Sequence, residues 1–282
     1  MKIKVKLLYP VLLGVLIFFS CNKEDSSKAP VIPPFETMVI DFGEMTASSA
    51  KSETVEGQTE ILTKTNWAYS AISVGFWNVM IGTTLAVPVA SFHAASNKMP
   101  VQLDDHTWQW SYSVDGFTSQ YTARLVGEIQ TNRIKWEMYV SKTGVNPFDE
   151  FLWFEGTSNT DGKSGQWILY LSPEFQEEVI QIDWKKEGND VGEVKYTYVR
   201  ELNNDRMPDD YKGSYLIYGL QDQVFDAFVS IHVYQSQSDN FTDSFIEWSH
   251  SDFSGRVKAL AYFGDNDWHC WDSNGNDLIC EE

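Results

Sequence analysis

Three cysteines and five histidines in 282 residues leave little from which to build a metal or redox centre. No histidine stands in an HExxH arrangement, and the chain has no Gly-x-Ser-x-Gly elbow, phosphate-binding loop or dinucleotide fingerprint. The usual signatures of zinc-dependent, serine-hydrolase and nucleotide-dependent chemistry are therefore missing. Basic residues are also few, with 21 Lys and Arg against 40 Asp and Glu, for a formal net charge of -19. A body so acidic repels phosphate at long range, and no cluster of Lys or Arg reverses that locally, which disfavours nucleic acid, so no nucleic-acid partner is expected. Long uncharged runs are limited to the N-terminus and to the stretch between Lys64 and Lys98.

The first uncharged run belongs to an export signal. Lysines at positions 2, 4 and 6 precede the apolar residues 7–19, and a small residue, Ser20, precedes Cys21. A basic region, a short apolar region and a small residue at the cut site form the layout of a signal peptide over 1–20. Phe18, Phe19, Ser20 and Cys21 resemble a bacterial lipobox, with aromatics where Leu or Ala is common. That resemblance implies a lipid on Cys21. Glu24 and Asp25 just behind it resemble the surface-export signal of Bacteroidota-type outer-membrane lipoproteins. The implied localisation is the outer membrane, on the cell surface or the periplasmic face. Residues 21–34, polar and then rich in proline, read as a flexible tether.

The remaining residues, 35–282, suit one domain, because no linker interrupts them. Residues 35–42 read as a short strand and 44–63 as a polar loop. The second uncharged run predicts a helix over 66–97, with Asn66 as N-cap and a stop at Asn97, Lys98 and Pro100. It is apolar on every side, so burial all round is expected, and Pro88 should kink or split it. The run is long enough to raise a membrane span as an alternative. From Trp108 onward the period changes to two. Strands are predicted over 108–114, 121–129, 134–141, 150–156, 166–171, 179–185, 193–200, 214–219, 227–234, 245–250 and 256–263. Turn residues such as Asp161-Gly162 and Asn203-Asn204-Asp205 separate them, so neighbours should pair as an antiparallel meander. The fold class is thus mainly β: 10–11 strands in a barrel or half-barrel around the apolar helix, a filled, calycin-like architecture. Ile134, Trp136, Met138 and Val140 fall on the dry face, as do Ala123, Leu125 and Gly127.

Aromatic residues are abundant, with 11 Trp, 13 Tyr and 17 Phe. Most should fill the core. Trp108, Trp110 and Tyr112, at alternate positions of one strand, also have the spacing of a platform for sugar rings or an apolar ligand. Near the C-terminus, Cys270 and Cys280 are the two cysteines left once Cys21 is lipidated, and outside the cytoplasm such a pair predicts a disulfide. Its closed loop would contribute about 3 kcal/mol in the chain-entropy model. Within the loop Asp272, Asn274 and Asn276 have the alternate oxygen spacing of calcium ligands, but the following Gly and acid positions of the EF-hand pattern fail, so a tight Asn-Gly turn is the simpler reading. No cofactor is expected beyond that calcium alternative. Glu137, Glu155, Asp183, Glu201 and Glu247 lie in or near strands and offer carboxylates for glycoside chemistry, although acids are too common here to single out a pair.

The sequence thus describes a lipid-anchored, non-catalytic protein that binds an apolar or carbohydrate ligand, with a structural or interaction lipoprotein, and then a hydrolase, as alternatives. A helix with a curved antiparallel sheet on such an anchor is similar to lipoprotein-localisation carriers and other calycin-like binders, by architecture only.

Overall fold

The computed structural model describes residues 28–39, 63–115, 119–188 and 190–280. The expected signal peptide, the expected lipid site at Cys21 and most of the loop over 44–63 lie outside them. Strands β2 (Thr107–Asp115), β3 (Ser119–Ile129), β4 (Arg133–Gly144), β5 (Phe148–Asn159), β6 (Ser164–Ser172) and β7 (Phe175–Glu187) are followed by β8 (Asp190–Tyr198), β9 (Tyr215–Leu220), β10 (Ala227–Gln235), β11 (Asn240–Trp248) and β12 (Gly255–Lys258). These correspond to the eleven predicted strands. Three short ones join them: β1 (Val101–Gln102), β13 (His269–Trp271) and β14 (Asp277–Leu278). Runs of two or three residues are too short for alternation to reveal. All fourteen form one antiparallel sheet in chain order, and the order does not close on itself.

Three local expectations are corrected. The last predicted strand stops at Lys258, and Leu260–Phe263 form a single helical turn, α2, ended by Gly264 in the left-handed region at φ 84°. Residues 35–37 form a 3-10 turn, not a strand, closed by the Thr37 hydroxyl donating to Pro34 C=O at 2.6 Å. The proline-rich stretch from Ala29 onward is partly packed on the body, although Val31 is exposed. Ala29 and Ile32 lie against the core and Met38 is fully buried, while Trp167 Nε1 donates to Thr37 Oγ1 and Tyr196 OH to Met38 C=O.

The dry face is built as its alternation requires. Ile134, Trp136, Met138 and Val140 are buried along β4, as are Ala123, Leu125 and Gly127 on β3. A recurrent cross-strand device spaces the large rings. Trp136 lies opposite Gly127 and Gly156, Trp167 opposite Gly156, Trp184 opposite Gly165, and Trp271 opposite Gly255. At Gly156 a Cβ would stand 2.3 Å from both Gln166 C=O and Trp167 Cε3, so the indole lies where any side chain would be.

The long helix α1 spans Thr65–Ser96 without a break at Pro88. It is not buried all round. Trp67, Ser70, Val74, Trp77 and Ile81 are buried at three- and four-residue steps, and Phe92 and Ala95 continue the burial toward its end, whereas Ile72 is 72% exposed. An open sheet covers one side of a helix and leaves the other to solvent. α1 touches β2 and β3 near one end of the meander and β12, β13 and β14 at the other. Phe92 meets the rings of Phe154 on β5 and Trp167 on β6 edge-on. Among the described residues no helix is long and apolar enough to cross a membrane.

Candidate functional site

The N-terminus of α1 needs partners for its first backbone N–H groups. They come from the far end of the chain, not from Asn66. Asp277 accepts from the backbone N–H of Thr65 at 3.1 Å and of Asn66 at 2.9 Å, and also from the Thr63 hydroxyl. Its negative charge suits the positive end of the helix dipole. Asn66, expected as the cap, lies inside the first turn and donates from Nδ2 to Cys270 C=O at 2.9 Å. The Lys64 ammonium reaches Asn274 C=O at 2.7 Å. Gly275, at φ 79°, lies under the Trp67 ring, where a Cβ would stand 3.2 Å from Cγ. The Cys270–Cys280 disulfide closes this loop. The C-terminal segment is therefore a clasp on α1.

The calcium alternative meets the same loop. Asp272 Oδ1 accepts from the backbone N–H of Asn274 and Asn276, both at 2.8 Å, and Oδ2 accepts from Asn276 Nδ2 at 3.0 Å. Its oxygens are directed at the turn's own donors. Burial alone would raise the Asp272 pKa, but the Asn276 and Asn274 donors outweigh it and hold the carboxyl below its ordinary value. A lowered folded pKa means stability that is full above the unfolded value near 3.9 and is lost as pH falls through the folded one. Asp272→Asn should therefore flatten the loss of melting temperature below about pH 4. Reductant should lower the melting temperature at neutral pH and EDTA should leave it unchanged; a calcium-dependent rise abolished by Asp272→Ala would instead make the loop an ion site.

The expected aromatic platform faces the core. Trp110 is 4% exposed and lies 5.8 Å from Trp136, ring centre to ring centre, while Trp108 and Tyr112 are half-buried against the same core. Burial raises the Tyr112 pKa against the opposing effect of its hydrogen bond with Ser91 of α1. The strand acids are each engaged by a neighbour: Glu137 by Lys135, Glu155 by Tyr170, Asp183 by Gln166 and Gln181, Glu201 by Lys212, and Glu247 by Arg256 and Gln221. Among the described residues no group of three or more His, Cys, Asp or Glu side chains is placed to hold a metal.

Two surface clefts flank α2, a segment over which residue alternation alone predicts strand. One, of about 580 Å³, lies between α1 and Tyr262 and is lined by Thr63, Lys64, Thr65, Ala68, Tyr69, Ile72 and Ser73. Its floor is aromatic. Tyr69 lies 4.4 Å from the Tyr262 ring and shares a 2.6 Å hydrogen bond with Ser244. Phe263 stacks on His269 at 3.8 Å, and His269 Nε2 is 2.9 Å from Asp265, which fixes the loop beneath α2. The other cleft, of about 540 Å³, follows β11 from Asn240 to Phe245 and is walled by Lys258, Leu260, Ala261 and Asn266. None of the five strand acids lines either cleft. The signal available in the sequence was the run Leu260 to Phe263 before Gly264, whose apolar residues stop at a helix-ending glycine.

Comparison with family models, with curated proteins and with solved structures finds no match for this chain.

Proposed function

We propose that this chain is a non-catalytic interaction lipoprotein of the outer membrane, anchored through Cys21, whose meander curls as a half-barrel over α1. The observation that carries the reading is a layer of large rings buried between the sheet and α1, with two clefts open beside α2. Trp136, Trp167, Trp248 and Trp271 are at most 2% exposed, and Phe92 of α1 and the Thr37–Met38 segment meet the buried rings of Trp167 and Tyr196. Contact of α1 with both the early and the late strands supports the half-barrel.

If Cys21 carries the lipid, topology supports one polarity relative to the membrane. Successive turns of an antiparallel meander alternate between the two ends of the strands. Pro30 lies beside Gly127, close to the β3–β4 turn, and α2 falls at the opposite end. The seven-residue step from Cys21 to Lys28 reaches at most about 25 Å, at 3.3–3.6 Å per residue. A tether of that reach supports a placement with the β3–β4 end nearer the lipid and the clefts beside α2 on the far end. A second reading, binding of a carbohydrate or apolar ligand, is favoured at the Tyr262 cleft, where Tyr262, 55% exposed, shares the lining with Thr63, Lys64, Thr65 and Ser73.

Replacing the anchor residue tests the proposal. Cys21→Ala should move the protein from the membrane fraction to the soluble one with its melting temperature unchanged. Retention of the variant in membranes through high-salt and high-pH washing would contradict the lipid anchor.

A further inference from the structure

The cleft along β11 has the geometry of an unfinished sheet. β12 pairs with β11 only from Phe245 to Trp248, and beyond Lys258 the chain turns into α2, leaving Asn240 to Ser244 with β10 on one side and, among the described residues, no strand on the other. All five of those residues line the cleft. Thr242 and Ser244 belong to one face of the sheet and Phe241 and Asp243 to the other, so a cleft bordered by all of them runs along the strand edge.

The bonding parity of that edge can be assigned. Ser249 N–H donates to Ser254 C=O at 2.9 Å at the start of the β11–β12 ladder, so odd-numbered residues of β11 direct their backbone groups toward the β12 side. At Phe241 the N–H is taken by Asn240 Oδ1 at 2.9 Å. Among the described residues no strand pairs with Asp243 on that side, and no turn or loop backbone bond reaches it. The formal edges of the sheet, β1 and β14, are two residues long, a length that blunts pairing; the β11 edge is longer and has a wall. Charge adds a second element. Lys258, at the end of the cleft where β12 stops, lies 4.6 Å above the Trp268 ring and has no carboxylate within 4.0 Å among the described residues, in a protein with nearly twice as many acids as bases.

The geometry points to this cleft as a strand-addition site for an extended segment of a partner polypeptide, which continues the sheet beside Asp243 and sets an acidic side chain against Lys258. The outward N–H and C=O of Asp243 are groups that an extended backbone satisfies, and side-chain pockets beside such groups give strand-addition sites their specificity. Here Phe241 and Phe245 on β11 and Leu260 on α2 supply the apolar contacts. The inference rests on the interaction-lipoprotein reading and names the partner of its outward end.

The probe is a random dodecapeptide library displayed on phage and selected on the full chain carrying Cys21→Ala. Enriched peptides are expected to alternate apolar residues and to share an acidic residue. Asp243→Ala keeps the edge N–H and should change the affinity of a synthetic selected peptide by less than about threefold, whereas Asp243→Pro, which removes that N–H on the side away from β10, should weaken it at least tenfold with the melting temperature close to that of Asp243→Ala. Lys258→Glu should weaken it as well, and less so at high salt. Peptides that bind Asp243→Pro as tightly as Asp243→Ala, or no enrichment at all, would overturn the site; so would a concentration-dependent dimer that the peptide dissociates, since the edge would then belong to a second copy. Should Asp243→Pro unfold, methylation of the peptide's backbone N–H groups at alternate positions replaces it, with loss of binding at one parity expected and indifference at both contradictory. Failure of the anchor appears separately, as membrane retention of Cys21→Ala with peptide binding intact.

Discussion

Replacing Trp77 with alanine is expected to lower the free energy of unfolding by about 3 to 5 kcal/mol, the range for truncating a buried aromatic. Trp77 is 3% exposed and lies on the stripe of α1 that faces the sheet. The loss combines the transfer of an indole out of the core with a cavity that Val74 and Ile81, one turn away on either side, cannot fill without moving the helix. Ile72→Ala on the opposite side of the same helix should cost well under 1 kcal/mol, because that side chain is largely exposed. Denaturant unfolding of both variants checks the contrast. A loss below about 0.5 kcal/mol at Trp77 would make α1 peripheral.

Replacing Gly156 with alanine is the second large effect, expected at about 2 to 3 kcal/mol, near the upper part of the range for overpacking. The new Cβ meets Gln166 C=O and the Trp167 ring at 2.3 Å. Neither can yield easily. The carbonyl belongs to the chain of β6, and the indole is held by its bond to Thr37 and by the rings of Phe92 and Phe154. Gly162, in the β5–β6 turn, makes a useful control: a Cβ there meets nothing within 4 Å, and only its φ of 66° opposes substitution, at about 1 to 2 kcal/mol. Adding Trp167→Leu should recover part of the Gly156→Ala loss and none of the Gly162→Ala loss.

Much of the meander could be read from alternation because one face is dry along most of its length. Ile134, Trp136, Met138 and Val140 announce β4 unaided, and the bridge between Cys270 and Cys280 follows from having no other partner in the folded body. Partnerships set by register were harder to read. Gly156 is an unremarkable glycine until β4, β5 and β6 are aligned and two indoles arrive beside it. The Asp277 cap joins residues more than 200 positions apart, so the local signal at Asn66 pointed to the wrong donor set. α1 was read as buried on every side because hydrophobicity reports what can be buried, whereas closure of the sheet decides how much is. The clefts beside α2 were hidden by four apolar residues that continue a strand pattern but turn at Ala259.

Native-state hydrogen exchange along α1 is the most direct test of the claim that this helix is a core element tied to both ends of an open sheet. Amides of residues 70–77 should exchange only through global unfolding, with the same denaturant dependence as amides of β4 and β8, and reduction of the Cys270–Cys280 bridge should lower that protection first at the N-terminal turns. Exchange of those amides by local opening, with little denaturant dependence while β4 and β8 stay protected, would show that the sheet holds together without α1 and contradict the account.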